Sequence, residues 1–99
     1  MPNFVVITEQ GPRWAESLPI QRQEGWDNHA TFMKALEMQG VVLLGGPLTS
    51  GSKNRALLIL TAQDEAAARA RLSEDPFVRS GVLKIVESYP WEVRYGRLP

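Results

Sequence analysis

A chain of 99 residues can hold one domain with a single hydrophobic core and little stability to spare. Its 11 basic and 11 acidic residues cancel and no long block of one sign occurs, which argues against electrostatic capture of nucleic acid or of an anionic membrane. The absence of cysteine excludes disulfides, thiolate catalysis and cysteine metal sites.

The hydrophobic share of 43% and charged share of 22% are ordinary for a soluble globular protein. The first residues carry no basic run and only a short apolar stretch, so no signal peptide is expected. No apolar stretch comes close to the ~20 residues of a membrane helix. The cytoplasm is the expected location.

Phe4 to Ile7 is a compact apolar run with the β-branched residues of a buried strand. Gln10 to Pro19 follows as a proline-containing loop that carries Arg13 and Trp14. It exceeds the usual ~2–6 residues of a strand-to-helix connection, which makes it either a cover for a pocket or a wandering surface segment. A first helix runs from about Trp26 to Gln39, with Asp27 placed to cap it or to complement its positive end, and Gly40 stops it. Val41 to Leu48 reads as a strand ending in a glycine pair, and Arg55 to Leu60 as its hairpin partner across the polar cluster Thr49 to Asn54. Thr61 or Asp64 caps an alanine-rich helix over Glu65 to Leu72. Asp75-Pro76 breaks that helix and starts a single turn closed by Gly81. Val82 to Tyr95 is the last strand, with Pro90 implying a bend or an edge position.

The order strand, helix, strand, strand, helix, strand predicts an α+β fold: a ferredoxin-like βαββαβ sandwich, four strands with both helices on one face, over a single domain 1–99. Helices on one face should leave strands that alternate apolar and polar. Here Val5-Val6-Ile7, Val41 to Leu44 and Leu57 to Leu60 are apolar at consecutive positions. Both sheet faces therefore call for burial, and two protomers stacked sheet to sheet, a homodimeric α+β barrel, satisfy that demand.

Two polar residues stand out against this apolar background. His29, the only histidine, has Phe32, Met33 and Leu36 at i+3, i+4 and i+7, which places its imidazole on the core-facing stripe. A core histidine satisfied by a backbone carbonyl explains that position, and so does a general base, since the ordinary pKa of histidine is nearest neutrality. Asp75 before Pro76 is the expected N-cap of a helix, and it can also orient His29 if one oxygen faces a pocket. An imidazole-to-carboxylate separation of about 2.6–3.2 Å beside an open cavity would favour the working pair. Gly45-Gly46-Pro47 lacks the lysine and following helix of a phosphate loop. Close packing is the expected use of the paired glycines, with oxyanion binding by their amides as the functional alternative. Trp14, Trp26 and Phe77 are candidates for an apolar wall around a planar substrate. Met33 and Met38 read as core filling. Arg13, Arg22, Arg79 and Arg94 are the residues available to an anionic substrate. One histidine without cysteine supports no metal site.

Trp26-Asp27-x-His29-x-x-Phe32-Met33-x-x-Leu36, Gly40-Val41-Val42-x-x-Gly45-Gly46-Pro47-Leu48, Asp75-Pro76-Phe77-Val78-x-x-Gly81 and Tyr89-Pro90-Trp91, in that order, resemble the YciI-like family of YCII-related domains. The resemblance spans nearly the whole chain. It implies a ferredoxin-like fold that dimerises as an α+β barrel, with His29 and Asp75 at the positions of a histidine–aspartate dyad in a pocket. It also implies no cofactor. A related branch acts as a dehydrochlorinase on chlorinated hydroxyquinones, and similar folds host lactone isomerases. The long segment from Gln10 to Pro19 departs from the short first loop of many members and should change what the pocket admits.

Two function classes follow. The first is a cofactor-independent enzyme moving a proton on a small organic substrate, with His29 as base and Asp75 orienting it. The second is a non-catalytic homodimeric module that binds a small ligand or stabilises a partner. A purely structural role for both residues is the third account, under which His29→Leu is neutral or stabilising.

Overall fold

A computed structural model describes all 99 residues, Met1–Pro99. Strand β1 (Asn3–Gln10) leads through a single 3-10 turn (Ile20–Arg22) to helix α1 (Trp26–Met38). The hairpin β2 (Val42–Pro47) and β3 (Ala56–Thr61) follows, then helices α2 (Glu65–Leu72) and α3 (Pro76–Ser80), and strand β4 (Leu83–Trp91). The four strands form one antiparallel sheet in the order β2-β3-β1-β4. This is the ferredoxin-like arrangement, with Pro90 on an edge strand, where its missing N–H costs no ladder bond. The extra element is α3. It is a full helical turn with its own cap, placed where the second helix would simply end.

Alternation along the strands sorts the residues between the two faces. Phe4 and Val6 pair with Leu60 and Leu58 across the ladder, and these four pack with Leu36 of α1 and with Ala68 and Leu72 of α2 into the main core. Both long helices therefore cover one face. The opposite face carries Val5, paired with Ile59 and Tyr89, and Asn3, paired with Trp91. It is left open: Leu44, Tyr89 and Trp91 are each roughly half exposed. At one end of this face Glu9 accepts a hydrogen bond from Arg55 Nε at 3.0 Å and lies 3.6 Å from Lys84 Nζ. The Arg55 hydrogen bond holds the Glu9 carboxyl below the usual carboxylate range, against the desolvation of its site. Tyr89 donates to Glu87 at 2.5 Å, and that bond raises the phenol above its ordinary value.

Element boundaries follow their caps. Asp64, not Thr61, caps α2 by accepting from the Ala67 amide at 2.8 Å. Asp27 lies in the first turn of α1 but does not cap it; Gly25 does, at φ 94°, a conformation open to glycine without strain. The glycine pair is inside β2 rather than at its end. Met38 does not fill the core: it is 80% exposed at the last turn of α1, whereas Met33 packs against the main cluster.

The segment between β1 and the 3-10 turn is tied to the body of the molecule. The amides of Gly11 and Arg13 donate to the carbonyls of Val82 and Gly81, each at 2.8 Å. Any side chain at position 11 would run into the Gly81 carbonyl, so only glycine lets the two segments pass so closely. The buried Gln23 amide braces the rest, accepting from Ala15 N and donating to the Ala15 and Leu18 carbonyls. Trp14 packs against a second cluster of Phe77, Val82 and Leu83.

Candidate functional site

His29 and Asp75 meet between α1 and α3. His29 enters the helical ladder at its first opportunity, its amide donating to the Gly25 carbonyl at 3.0 Å. Its side chain is only 12% exposed and that of Asp75 is 2% exposed. Asp75 does what its place before a proline demands, Oδ1 accepting from the Phe77 amide at 2.9 Å. The same carboxylate faces His29 Nδ1, at 2.9 Å from Oδ1 and 2.8 Å from Oδ2. One residue thus serves as helix cap and imidazole partner together.

With an ionised carboxylate as acceptor, Nδ1 carries the hydrogen, and in the neutral ring Nε2 holds the free lone pair. Phe77 fixes the ring plane, stacked on the imidazole at 4.3 Å between centroids and 13° between planes. Trp26 sits on another side at 5.5 Å and 44°. Such aromatic contacts are each worth about 0.5–1.5 kcal/mol beyond area burial. Together they restrict the imidazole before any ligand arrives.

The pair borders a cavity of about 270 Å³ between the sheet and the helices. Thr8, Ala56, Leu58 and Leu83 form its floor, Trp26, His29 and Met33 of α1 one wall, and Ile20 and Gln21 of the 3-10 turn another. Gly46, Pro47, Leu72 and Asp75 complete it. A second, shallower groove on the β2 side shares Trp26, His29 and Met33 and adds Lys34, Glu37 and Gly45.

The residues singled out from the sequence divide accordingly. His29, Asp75, Trp26 and Gly46 border the cavity of about 270 Å³, and Gly45 lines the adjoining groove, which His29 and Trp26 also border. Phe77 is completely buried behind the imidazole, so it supports the ring rather than facing a ligand. Trp14 lines neither space; the bracing of its loop turns it into the second cluster. Close packing does not account for Gly46, where an added Cβ would meet open space, and Gly45 has only ordinary contact with Leu58. As members of β2 both glycines keep their N–H groups in the plane of the sheet, across the direction in which side chains enter the cavity. That geometry does not suit an oxyanion hole. Thr8, Ile20, Gln21 and Met33 were not singled out as site residues. Thr8 was detectable in principle: extending the strand two residues past Val6 puts a polar side chain on the face of Phe4 and Val6. The cavity-lining role of Ile20 and Gln21 has no sequence signal, because it depends on where a loop turns back.

The YCII-related domain model matches residues 3–92. The chain belongs to the YCII-related domain family. No curated protein matches it in sequence. Among solved structures, this YCII-related chain is similar to 5-chloro-2-hydroxyhydroquinone dehydrochlorinase (TftG) from Burkholderia phenoliruptrix AC1100, solved in complex with 2,5-dihydroxybenzoquinone. The identity is 21%, the TM-score 0.53, and the match covers 94% of this chain and 95% of that one. At that identity the likeness bears on the fold. No helix of the protein is long and apolar enough to cross a membrane.

Proposed function

We propose that this YCII-related protein is a cofactor-independent enzyme that moves a proton on a small organic molecule, in an elimination or an isomerisation. His29 is the general base and Asp75 its orienting partner. The observation carrying this reading is the imidazole itself: Nδ1 is 2.8 Å from a buried carboxylate, Nε2 has no protein partner, and the residue lines a largely apolar cavity. A core histidine kept for packing has no use for a cavity or a free lone pair. In the first step Nε2 takes a proton from a C–H or O–H of the substrate. The electron pair left behind either expels a leaving group, completing an elimination, or shifts along a conjugated system and is reprotonated at another carbon. The Asp75 carboxylate stabilises the imidazolium formed meanwhile, and the proton returns to product or solvent. The dehydrochlorinase named on the similar structure supports elimination as the first reaction to try.

The test is chloride release from 5-chloro-2-hydroxyhydroquinone, with solvent-deuterium incorporation into a small unsaturated lactone as the isomerase counterpart. Turnover by the wild type that disappears in His29→Ala is the expected result. If the wild type turns over neither compound faster than His29→Ala, yet both proteins bind 5-chloro-2-hydroxyhydroquinone equally, the enzyme reading fails and a ligand-binding module takes its place.

We propose further that the protein is a homodimer joined through the face of the sheet away from the helices. Support comes from Leu44, Tyr89 and Trp91, half exposed on a face whose remaining apolar members are Val5, Ile7, Leu57 and Ile59. Apolar surface of that kind, rimmed by the ionic group around Glu9, has the composition of an interface.

A further inference from the structure

Thr8 sits on the cavity floor with a hydroxyl that no group in the protein uses. The residue is 3% exposed. The alternation of β1 sends its side chain to the helix-covered face, between Ala56 of β3 and Ile85 of β4, where it lines the same cavity as His29. No sealed polar side-chain atom in the molecule lacks a hydrogen-bond partner. The Thr8 oxygen, which has none, therefore keeps its opening toward the cavity. Valine has the same shape and would occupy this core position without an unsatisfied hydroxyl. The hydroxyl is a donor and acceptor held in reserve.

The charges around the cavity narrow what that hydroxyl can meet. No lysine or arginine lines the space. The one carboxylate there, Asp75, is engaged by the Phe77 amide and His29. Lys34, on the adjoining groove, is paired with Glu37, and Arg55 with Glu9 across the sheet. Arg13 lines a separate groove. A carboxylate or phosphate entering the cavity would give up its water beside Asp75 and meet only the His29 imidazole, already engaged by that carboxylate, which is unfavourable. An uncharged oxygen meets no such barrier.

We infer that Thr8 is a specificity-determining residue of the His29 cavity, hydrogen-bonding a hydroxyl or carbonyl oxygen on an uncharged single-ring ligand, and that the cavity rejects ligands bearing a carboxylate or phosphate. This rests on reading the His29 cavity as the ligand site. The volume of about 270 Å³ suits one ring, lying just below the ~300–1,000 Å³ range of pockets for larger ligands.

The probes are the ortho, meta and para dihydroxybenzenes, the matching cresols and the matching hydroxybenzoates. Each set shares a ring and one hydroxyl and differs only in whether the second group is hydroxyl, methyl or carboxylate. Binding is measured by calorimetric or NMR titration with the wild type, Thr8→Val and Thr8→Ser. The best dihydroxybenzene should bind the wild type more tightly than its cresol. Thr8→Val should weaken that dihydroxybenzene about 3- to 10-fold without changing the cresol, and Thr8→Ser should restore the preference. The hydroxybenzoates should bind at least about 10-fold more weakly than the dihydroxybenzenes. If Thr8→Val does not fold, Thr8→Ala carries the same comparison. Equal affinity of wild type and valine variant for the dihydroxybenzene, tighter binding of a hydroxybenzoate, or no saturable binding of any dihydroxybenzene overturns the inference. Its failure is separable from that of the enzyme reading. His29-dependent turnover with no Thr8 effect sinks only the role of Thr8, whereas a Thr8-dependent preference without turnover sinks only the catalysis.

Discussion

Two aspartates in this chain do the same local job with different consequences. Asp64 opens α2 and Asp75 opens α3, each accepting from a backbone amide two or three positions into its helix, at 2.8 and 2.9 Å. Asp64 is exposed and its carboxylate has no other side chain to meet, so it is a cap and nothing more. Asp75 is buried, and the oxygens not fully used by its helix face the one histidine of the protein. Capping is a property of position along the chain. What the remaining lone pairs do is a property of place in the fold.

That contrast can be broken from several sides. The largest effect should come from His29→Ala, which removes the proposed base and should lower turnover by about 10²- to 10⁴-fold, read as kcat in the chloride-release assay. Asp75→Asn comes next. Asparagine still caps a helix but presents no charge to the imidazole, so kcat should fall by about 10²-fold while thermal unfolding shifts little. A full loss of activity accompanied by collapse of the fold would instead make Asp75 structural. The cap alone is isolated by Asp64→Ala, which should cost about 1 kcal/mol in denaturant unfolding and leave kcat untouched. Asp75→Ala should cost about 2–3 kcal/mol, because it strips the cap and leaves the buried Nδ1–H of His29 unsatisfied as well.

The two sheet faces make a second, weaker comparison. Trp91→Glu places a charge on the open face far from His29, and sedimentation should show it shifting a dimer toward monomer; an unchanged mass in wild type and variant at monomer size would remove the proposed interface. The smallest effect concerns acid. The lowered Glu9 carboxyl contributes stability that is present at neutral pH and is lost as pH falls through its depressed value. Glu9→Gln should therefore flatten the acid side of the stability profile measured by denaturant midpoints from neutral to acidic pH.

Much of this molecule was legible in order along the chain. The Gly40 stop, the alanine-rich helix from Glu65 to Leu72, the Asp75-Pro76 break and the edge position of Pro90 are decided by caps, propensities and missing amides, which act over a few residues. Periodicity likewise placed His29 on an apolar stripe. It did not say what the imidazole would find there, since Asp75 is 46 positions away. Trp14 lies outside both spaces beside His29 for the same reason. An aromatic residue on a loop goes where the loop is tied, and the ties are backbone bonds to Gly81 and Val82, which no local pattern announces.

Residues adjacent in the chain are enough to specify the strands, the helices, the Asp75 cap and the conflict of a polar pair set among apolar neighbours. Only the tertiary structure decided that the two polar residues share a hydrogen bond, that Phe77 backs the imidazole while Trp14 does not face the cavity, and that Thr8 opens onto the same space. Those outcomes require four strands and three helices to be packed at once, and the energy that selects them is the burial of surfaces distant in sequence.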